Sequence, residues 1–222
     1  LSDTFLNYIQ TQHAKPHPMT AEGARKYVGD VATGYRAKRE KSAKWTAEQG
    51  VIESMLDDLN PGDWVLDVPC GDGRFLEFYH GKGICVRAVD RSKDMLAVAA
   101  LNASTIVDED LPDDFVNQLF ESGVLKVGSK ITFCRGNVLA LNGEQTDDGE
   151  EGHPDVYALR LEDKSVDASG MCRLTRWLSP EDCQDALKEL QRVTRDRIVI
   201  TARQDGPHAR PLDIFLNVLE DE

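Results

Sequence analysis

The sequence predicts an α/β fold, a doubly wound and mainly parallel sheet with helices on both faces. Three observations lead there. Strand-sized apolar runs alternate with helix-sized amphipathic ones from residue 64 onward. The first strand, 64–68, runs into the glycine turn Gly71-Asp72-Gly73 before a helix begins. The second, 84–89, is followed by an acid, Asp90, just ahead of a helix-starting Ser92.

Size and composition set the frame for those elements. A chain of 222 residues with 41% apolar content can bury one substantial core and lies near the globular average. The longest apolar stretches are strand-sized, as in Ile198-Val199-Ile200, so no segment reads as membrane-spanning. A formal net charge of -13 repels phosphate at long range and sets the chain against bulk nucleic-acid binding. Five cysteines form no CxxC pair, and no histidine stands at metal-ligand spacing. Free thiols, no metal site and a cytoplasmic location are the expectation, and no basic-then-apolar leader opens the sequence.

In chain order, residues 1–20 carry Pro16 and Pro18 and read as a loosely held lead-in. Residues 25–44 are helix-permissive, with seven basic against two acidic side chains and a local charge of +5. Ala47, Val51, Ile52, Met55, Leu56 and Leu59 recur at one-turn spacing and predict an amphipathic helix that Asn60-Pro61-Gly62 ends. Helices follow at 74–80 and 92–100, a third strand at 130–134 and a fourth at 166–171. Ser179-Pro180-Glu181-Asp182 is a helix start with cap, proline and first-turn acids, and Cys183, Ala186, Leu187, Leu190 and Val193 supply its buried stripe. A fifth strand follows at 197–202, and a helix is the reading for 212–219. Two segments break the rhythm: an inserted helical piece at 103–128, and an acidic surface loop at 143–163. Each is a solvated excursion or a substrate lid.

The chemistry concentrates at strand ends. Val65-Leu66-Asp67-Val68-Pro69-Cys70-Gly71-Asp72-Gly73-Arg74-Phe75 brings backbone N–H groups to a ligand, or is simply a tight turn. Leu76 stands where a dinucleotide fingerprint requires its third glycine, which demotes a dehydrogenase. Asp90 can accept from both hydroxyls of a ribose, or cap the helix that begins at Ser92. Together with the glycine turn it points to an adenosine-containing ligand.

The run VLDVPCGDGRF resembles the first motif of the class I S-adenosylmethionine-dependent methyltransferases, in particular the type 11, UbiE-like group. Ala88-Val89-Asp90-Arg91-Ser92 is similar to that family's ribose-binding strand end, and Arg135-Gly136-Asn137-Val138 to its adenine contact, with Asn137 where an acid is usual. The resemblance spans about 31–203. It implies a Rossmann-like fold that lacks the last two strands of the family, because little chain follows residue 202. It also implies an N-terminal lead-in and helical cap, 1–44, before a cofactor-binding domain, 45–222.

The implied function is methyl transfer from S-adenosylmethionine, leaving S-adenosylhomocysteine, to a small-molecule acceptor by in-line displacement. The implied cofactor residues are Tyr35, Asp67, Pro69, Gly71, Gly73, Asp90, Arg91, Met95, Asn137, Val138 and Met171. Arg173 and Arg176 are candidates to hold an acceptor's carboxylate or phosphate, or are plain surface arginines. Cys172 reads as packing more readily than as a nucleophile, and Trp45 as core more readily than as pocket wall. The alternatives are a methyltransferase that docks RNA, DNA or protein on its basic segment, and a cofactor-binding module without activity.

Overall fold

Five of the apolar runs form the parallel heart of a seven-stranded sheet in the computed structural model, which describes Tyr27 and residues 29–141, 160–202 and 213–218. Two short helices, α1 (Asp30–Thr33) and α2 (Tyr35–Arg39), precede α3 (Ala43–Met55). Then come β1 (Trp64–Asp67), α4 (Leu76–Lys82), β2 (Cys85–Asp90), α5 (Lys93–Val107), α6 (Phe115–Glu121), β3 (Val124–Val127) and β4 (Ile131–Arg135). The chain continues through β5 (Val166–Met171), α7 (Pro180–Val193), β6 (Thr194–Ala202) and β7 (Asp213–Val218). The strand order is β3-β4-β2-β1-β5-β6-β7, with β3 and β7 antiparallel at the edges.

Both faces of the sheet are covered. On one, Val65, Val86, Ala88 and Phe133 pack under α3, α4 and α5 through Ile52, Leu56, Leu76, Leu96 and Ala103. On the other, Leu66, Val89, Ile198 and Ile200 pack under α7 through Cys183, Ala186, Leu187 and Leu190. Helix α7 carries the expected cap: Ser179 Oγ accepts from the Asp182 N–H (3.0 Å), and Asp182 Oδ2 accepts from the Ser179 N–H (3.4 Å).

The structure corrects several readings. Helix α5 runs on to Val107, and the insert supplies β3, an edge strand as well as a helix. Its four residues alternate exposed and buried between Gly123 and Gly128, both at positive φ, a pattern too short to stand out in sequence. The segment read as a helix at 212–219 is strand β7, paired along the open edge of β6 from Arg197 to Ala202. Among the described residues the sheet therefore gains an antiparallel strand beyond β6, against the expectation that it ends there. In α3 the buried face is Trp45, Glu48 and Ile52, while Ala47 and Val51 face solvent. Apolar periodicity missed this because a buried glutamate belongs to that face. The lead-in 1–20 and most of the acidic loop at 143–163 lie outside the described residues.

Candidate functional site

Strand order reverses at β1, which sends β2 and β4 to one side and β5 and β6 to the other. Loops leaving the carboxyl ends of β1 and β5 separate at such a point and open a crevice. Four strand ends converge there: Val68 to Gly71 after β1, Asp90 to Ser92 at β2, Gly136 to Val138 after β4, and Cys172 to Leu174 after β5. They line a cleft of about 1130 Å³, counting the part open to solvent.

The glycine turn is tied to the β2 end by its backbone. The Gly71 N–H donates to Asp90 Oδ2 (2.9 Å), and the Cys70 N–H donates to the Val89 carbonyl (2.8 Å). Asp90 Oδ1 accepts from the Ser92 N–H at 2.8 Å. Ser92, not Asp90, caps α5, its Oγ accepting from the Met95 N–H at 3.3 Å. The Asp90 carboxylate thus takes the backbone N–H groups of Gly71, Ser92 and Arg91, which hold it fixed on the cleft wall. Gly71 sits at φ 56° on the cleft wall. Gly73 does not line the cleft; its φ is 75°, and a Cβ there would lie 2.4 Å from Leu76 Cδ1. Its glycine serves helix packing, not ligand approach.

The third strand end carries Asn137, 7% exposed. Its Oδ1 accepts from the Leu139 N–H (3.1 Å) and caps the turn Val138–Ala140. Its Nδ2 is buried without a partner, a donor left for a ligand.

The N-terminal segment lies across the mouth. The Ser92 hydroxyl donates to the Tyr27 carbonyl (2.8 Å), the Gly29 N–H to Asp94 Oδ2 (2.7 Å), and Arg36 Nε to Asp72 Oδ2 (3.0 Å). Tyr27 meets Tyr35 edge-on at 5.6 Å and Trp177 at 6.4 Å, and Tyr35 meets Trp45 at 5.8 Å. Behind this wall Glu48, 3% exposed, joins Arg74 (Nη1 to Oε2, 3.1 Å) to Arg173 (Nε to Oε2, 2.8 Å). Trp45 is both buried and a cleft wall, so its two readings coincide.

Burial governs the site's protonation. Asp67 is pushed up to about 8, mainly by desolvation and then by Asp90, with Arg74 opposing. Its Oδ2 has no partner. Asp90 is pushed up to about 6 by burial, against the N–H groups that favour its charged form. Burial also raises the thiols of Cys70 and Cys172 well above the ordinary range, with Asp90 adding to Cys70 and Asp67 to Cys172.

Of the residues expected from sequence, Tyr35, Pro69, Gly71, Asp90, Arg91, Met95, Asn137, Val138 and Arg173 line the cleft. Asp67, Gly73 and Met171 lie behind it. The side chain of Arg176 is outside the described set. Sequence reasoning missed Tyr27, Arg74 and Trp177 on the wall and Glu48 behind it. Glu48 and Arg173 are 125 residues apart, and no local pattern signals such a pair. Among the described residues no group of three or more His, Cys, Asp or Glu side chains is placed to hold a metal. None of their helices is long and apolar enough to cross a membrane.

The family model of the methionine biosynthesis protein MetW matches residues 50–139, which span the glycine turn, Asp90 and Asn137. The fold around that stretch is a doubly wound, Rossmann-like sheet. Solved structures similar to this chain include the YcgJ protein from Bacillus subtilis, at 17% identity over 71% of this chain and 51% of that one, with a TM-score of 0.48. A methyltransferase from Methanosarcina mazei matches at 22% identity over 65% and 54%, with a TM-score of 0.44. One from Geobacter sulfurreducens, in complex with S-adenosylhomocysteine, matches at 16% over 90% and 55%, with a TM-score of 0.43. The chain spans about half the length of these structures. No curated protein matches it.

Proposed function

We propose that the chain is an S-adenosylmethionine-dependent methyltransferase acting on a small-molecule acceptor. The observation that carries this reading is the union of the β1 turn with Asp90 at the switch point. It presents a carboxylate, fixed by backbone N–H groups, beside a close-approach backbone, an arrangement that suits a ribose. The unpaired Nδ2 of Asn137 adds a donor for a heterocycle nitrogen. The cleft runs from Asp90 and Asn137 to Arg173 and the wall of Tyr35 and Trp45, which leaves one end for an acceptor.

In this reading the bound cofactor supplies a methyl group activated on a sulfonium. Asp90 fixes the ribose and Asn137 the base, so that the methyl end points towards Arg173 and the aromatic wall. Tyr27 and Tyr35 exclude water from the reacting pair. Burial raises the thiols of Cys70 and Cys172, which disfavours the thiolate a nucleophile needs. Positioning is the main contribution of the chain, and α1 and α2 cap the cleft.

The basic segment supports the small acceptor over a macromolecule. Arg36 is engaged by Asp72, and Arg39 lies 5.5 Å from the Tyr35 ring, so part of that charge seats the segment on its own domain. Reduced thiols suit a cytoplasmic protein.

Calorimetry with S-adenosylmethionine and S-adenosylhomocysteine tests the reading. Micromolar binding of both is expected, weakened at least about tenfold by Asp90→Asn, which halves the acceptor capacity of that side chain. Absence of binding to the folded chain would refute it. Steep loss of nucleic-acid binding with salt would bring the macromolecular alternative forward.

A further inference from the structure

Arg173 stands apart in the acceptor half of the cleft. It follows β5 at φ 61°, a left-handed conformation uncommon for a residue with a side chain. Its N–H donates to the Oγ1 of buried Thr201 at 2.8 Å, which pins the backbone in that state. Its Nε donates to Glu48 Oε1 (3.0 Å) and Oε2 (2.8 Å), and its Nη2 also donates to Oε2. Backbone and guanidinium are thus both fixed, a degree of constraint that concentrates at functional sites.

The neighbouring Arg74 is spent. Its Nε donates to Gln49 Oε1 (3.3 Å), its Nη1 to Glu48 (3.1 Å) and its Nη2 to the Trp45 carbonyl. Arg173 differs: among the described residues no acceptor meets its Nη1, and its side chain is 28% exposed on the cleft. Two guanidinium groups share the single carboxylate of Glu48, which leaves one positive charge in the cluster. A site enclosed by protein favours a ligand that cancels that charge. One carboxylate does so, while a phosphate dianion exceeds it.

The surroundings of Arg173 define the rest of the ligand. Its guanidinium lies 4.6 Å from the Trp45 ring, Trp45 touches Tyr35, and Tyr35 touches Tyr27. An apolar wall of rings therefore runs continuously from the Arg173 guanidinium. Such a wall accepts a flat apolar body and offers it edge and face contacts.

We propose that Arg173 holds the carboxylate of the methyl acceptor, and that the acceptor is a small carboxylic acid with a planar apolar body. This rests on the cofactor reading above. The forked guanidinium, held by Glu48 through two of its nitrogens, directs the third at the acid and so orients the far end of the acceptor towards the methyl group.

The test uses the full chain saturated with S-adenosylhomocysteine, titrated with 3-phenylpropanoate and with its amide by calorimetry. The acid is expected to bind at least about tenfold more tightly than the amide, the usual margin for one charge-assisted contact. This comparison requires no variant and so does not depend on a variant's folding. In Arg173→Gln, shown to be folded by its thermal melt, the preference is expected to fall to about twofold or less. Equal affinity for acid and amide, or a preference that survives Arg173→Gln, would overturn the proposal. So would tighter binding of phenyl phosphate than of the acid, or no binding of either probe at about 10 mM, beyond the millimolar range of weak fragments. Loss of S-adenosylhomocysteine binding in a folded Arg173→Gln would assign the arginine to the cofactor's own carboxylate and also overturn it. Failure of the unaltered chain to bind S-adenosylhomocysteine would instead remove the cofactor reading beneath.

Discussion

Asp67 shows how one residue can shape the site without touching the cleft. It ends β1 at 1% exposure, with one oxygen unpartnered, facing the charges of Asp90 and Asp72 and the guanidinium of Arg74. Its carboxyl titrates near 3.8 when free and near 8 in the fold. The folded state therefore keeps a proton that the unfolded chain has already lost, and stability must fall as pH rises between those values. The slope is at most about 1.4 kcal/mol per pH unit for a single group. Asp67→Asn removes the titration. Urea unfolding should show the variant gaining on the parent steadily from about pH 5 to about pH 8, and a constant difference would refute the assignment. Asp90, raised less far, was readable from its place after β2. The local motif places Asp67 among the candidate cofactor residues, while its burial at the end of β1 comes from the packed sheet.

At the scale of elements, α1 and α2 act as a strap across the cleft. Neither is long enough to be stable alone. The contacts that hold them are Gly29 to Asp94, Tyr27 to Ser92 and Arg36 to Asp72. Asp72 is 1% exposed, so removing its partner leaves a buried carboxylate poorly compensated. Arg36→Met should lower stability by about 1–2 kcal/mol and raise the rate of tryptic cleavage at Lys38, Arg39 or Lys41 several-fold. Bound S-adenosylhomocysteine should slow cleavage of the parent more than of the variant. Unchanged cleavage would show that the strap is seated by its rings instead. Helix α7 is the opposite case: cap, proline and buried stripe were all legible, because each acts within a few residues along the chain. Helix α3 was half legible, since Glu48 is buried only by arginines from two distant loops.

For the whole molecule, the edge strands matter most. β7 covers β6 along Arg197 to Ala202, and Ile198, Val199 and Ile200 of β6 are fully or almost fully buried. Ending the chain at Ala202 would bare that edge, and an open apolar edge recruits other chains. The shortened protein should melt at lower temperature and form larger species on size exclusion. A monomer of unchanged melting temperature would show that β7 is dispensable. The net charge of -13 disperses the intact chain but cannot substitute for an edge partner.

Strand–helix alternation, the glycine turn and the acid after β2 were determined by the sequence itself. They suffice for the class of fold and for the strand ends that line the cleft at Gly71 and Asp90, because each depends on neighbours a few residues away. Only the tertiary structure brought together the residues of the proposed acceptor end. Trp45, Glu48, Arg74 and Arg173 come from α3, the β1 turn and the β5 end, and they meet because the sheet reverses at β1. A charge pair closed over 125 residues leaves no period in the sequence, since its energy arises only after the fold has removed water from both partners.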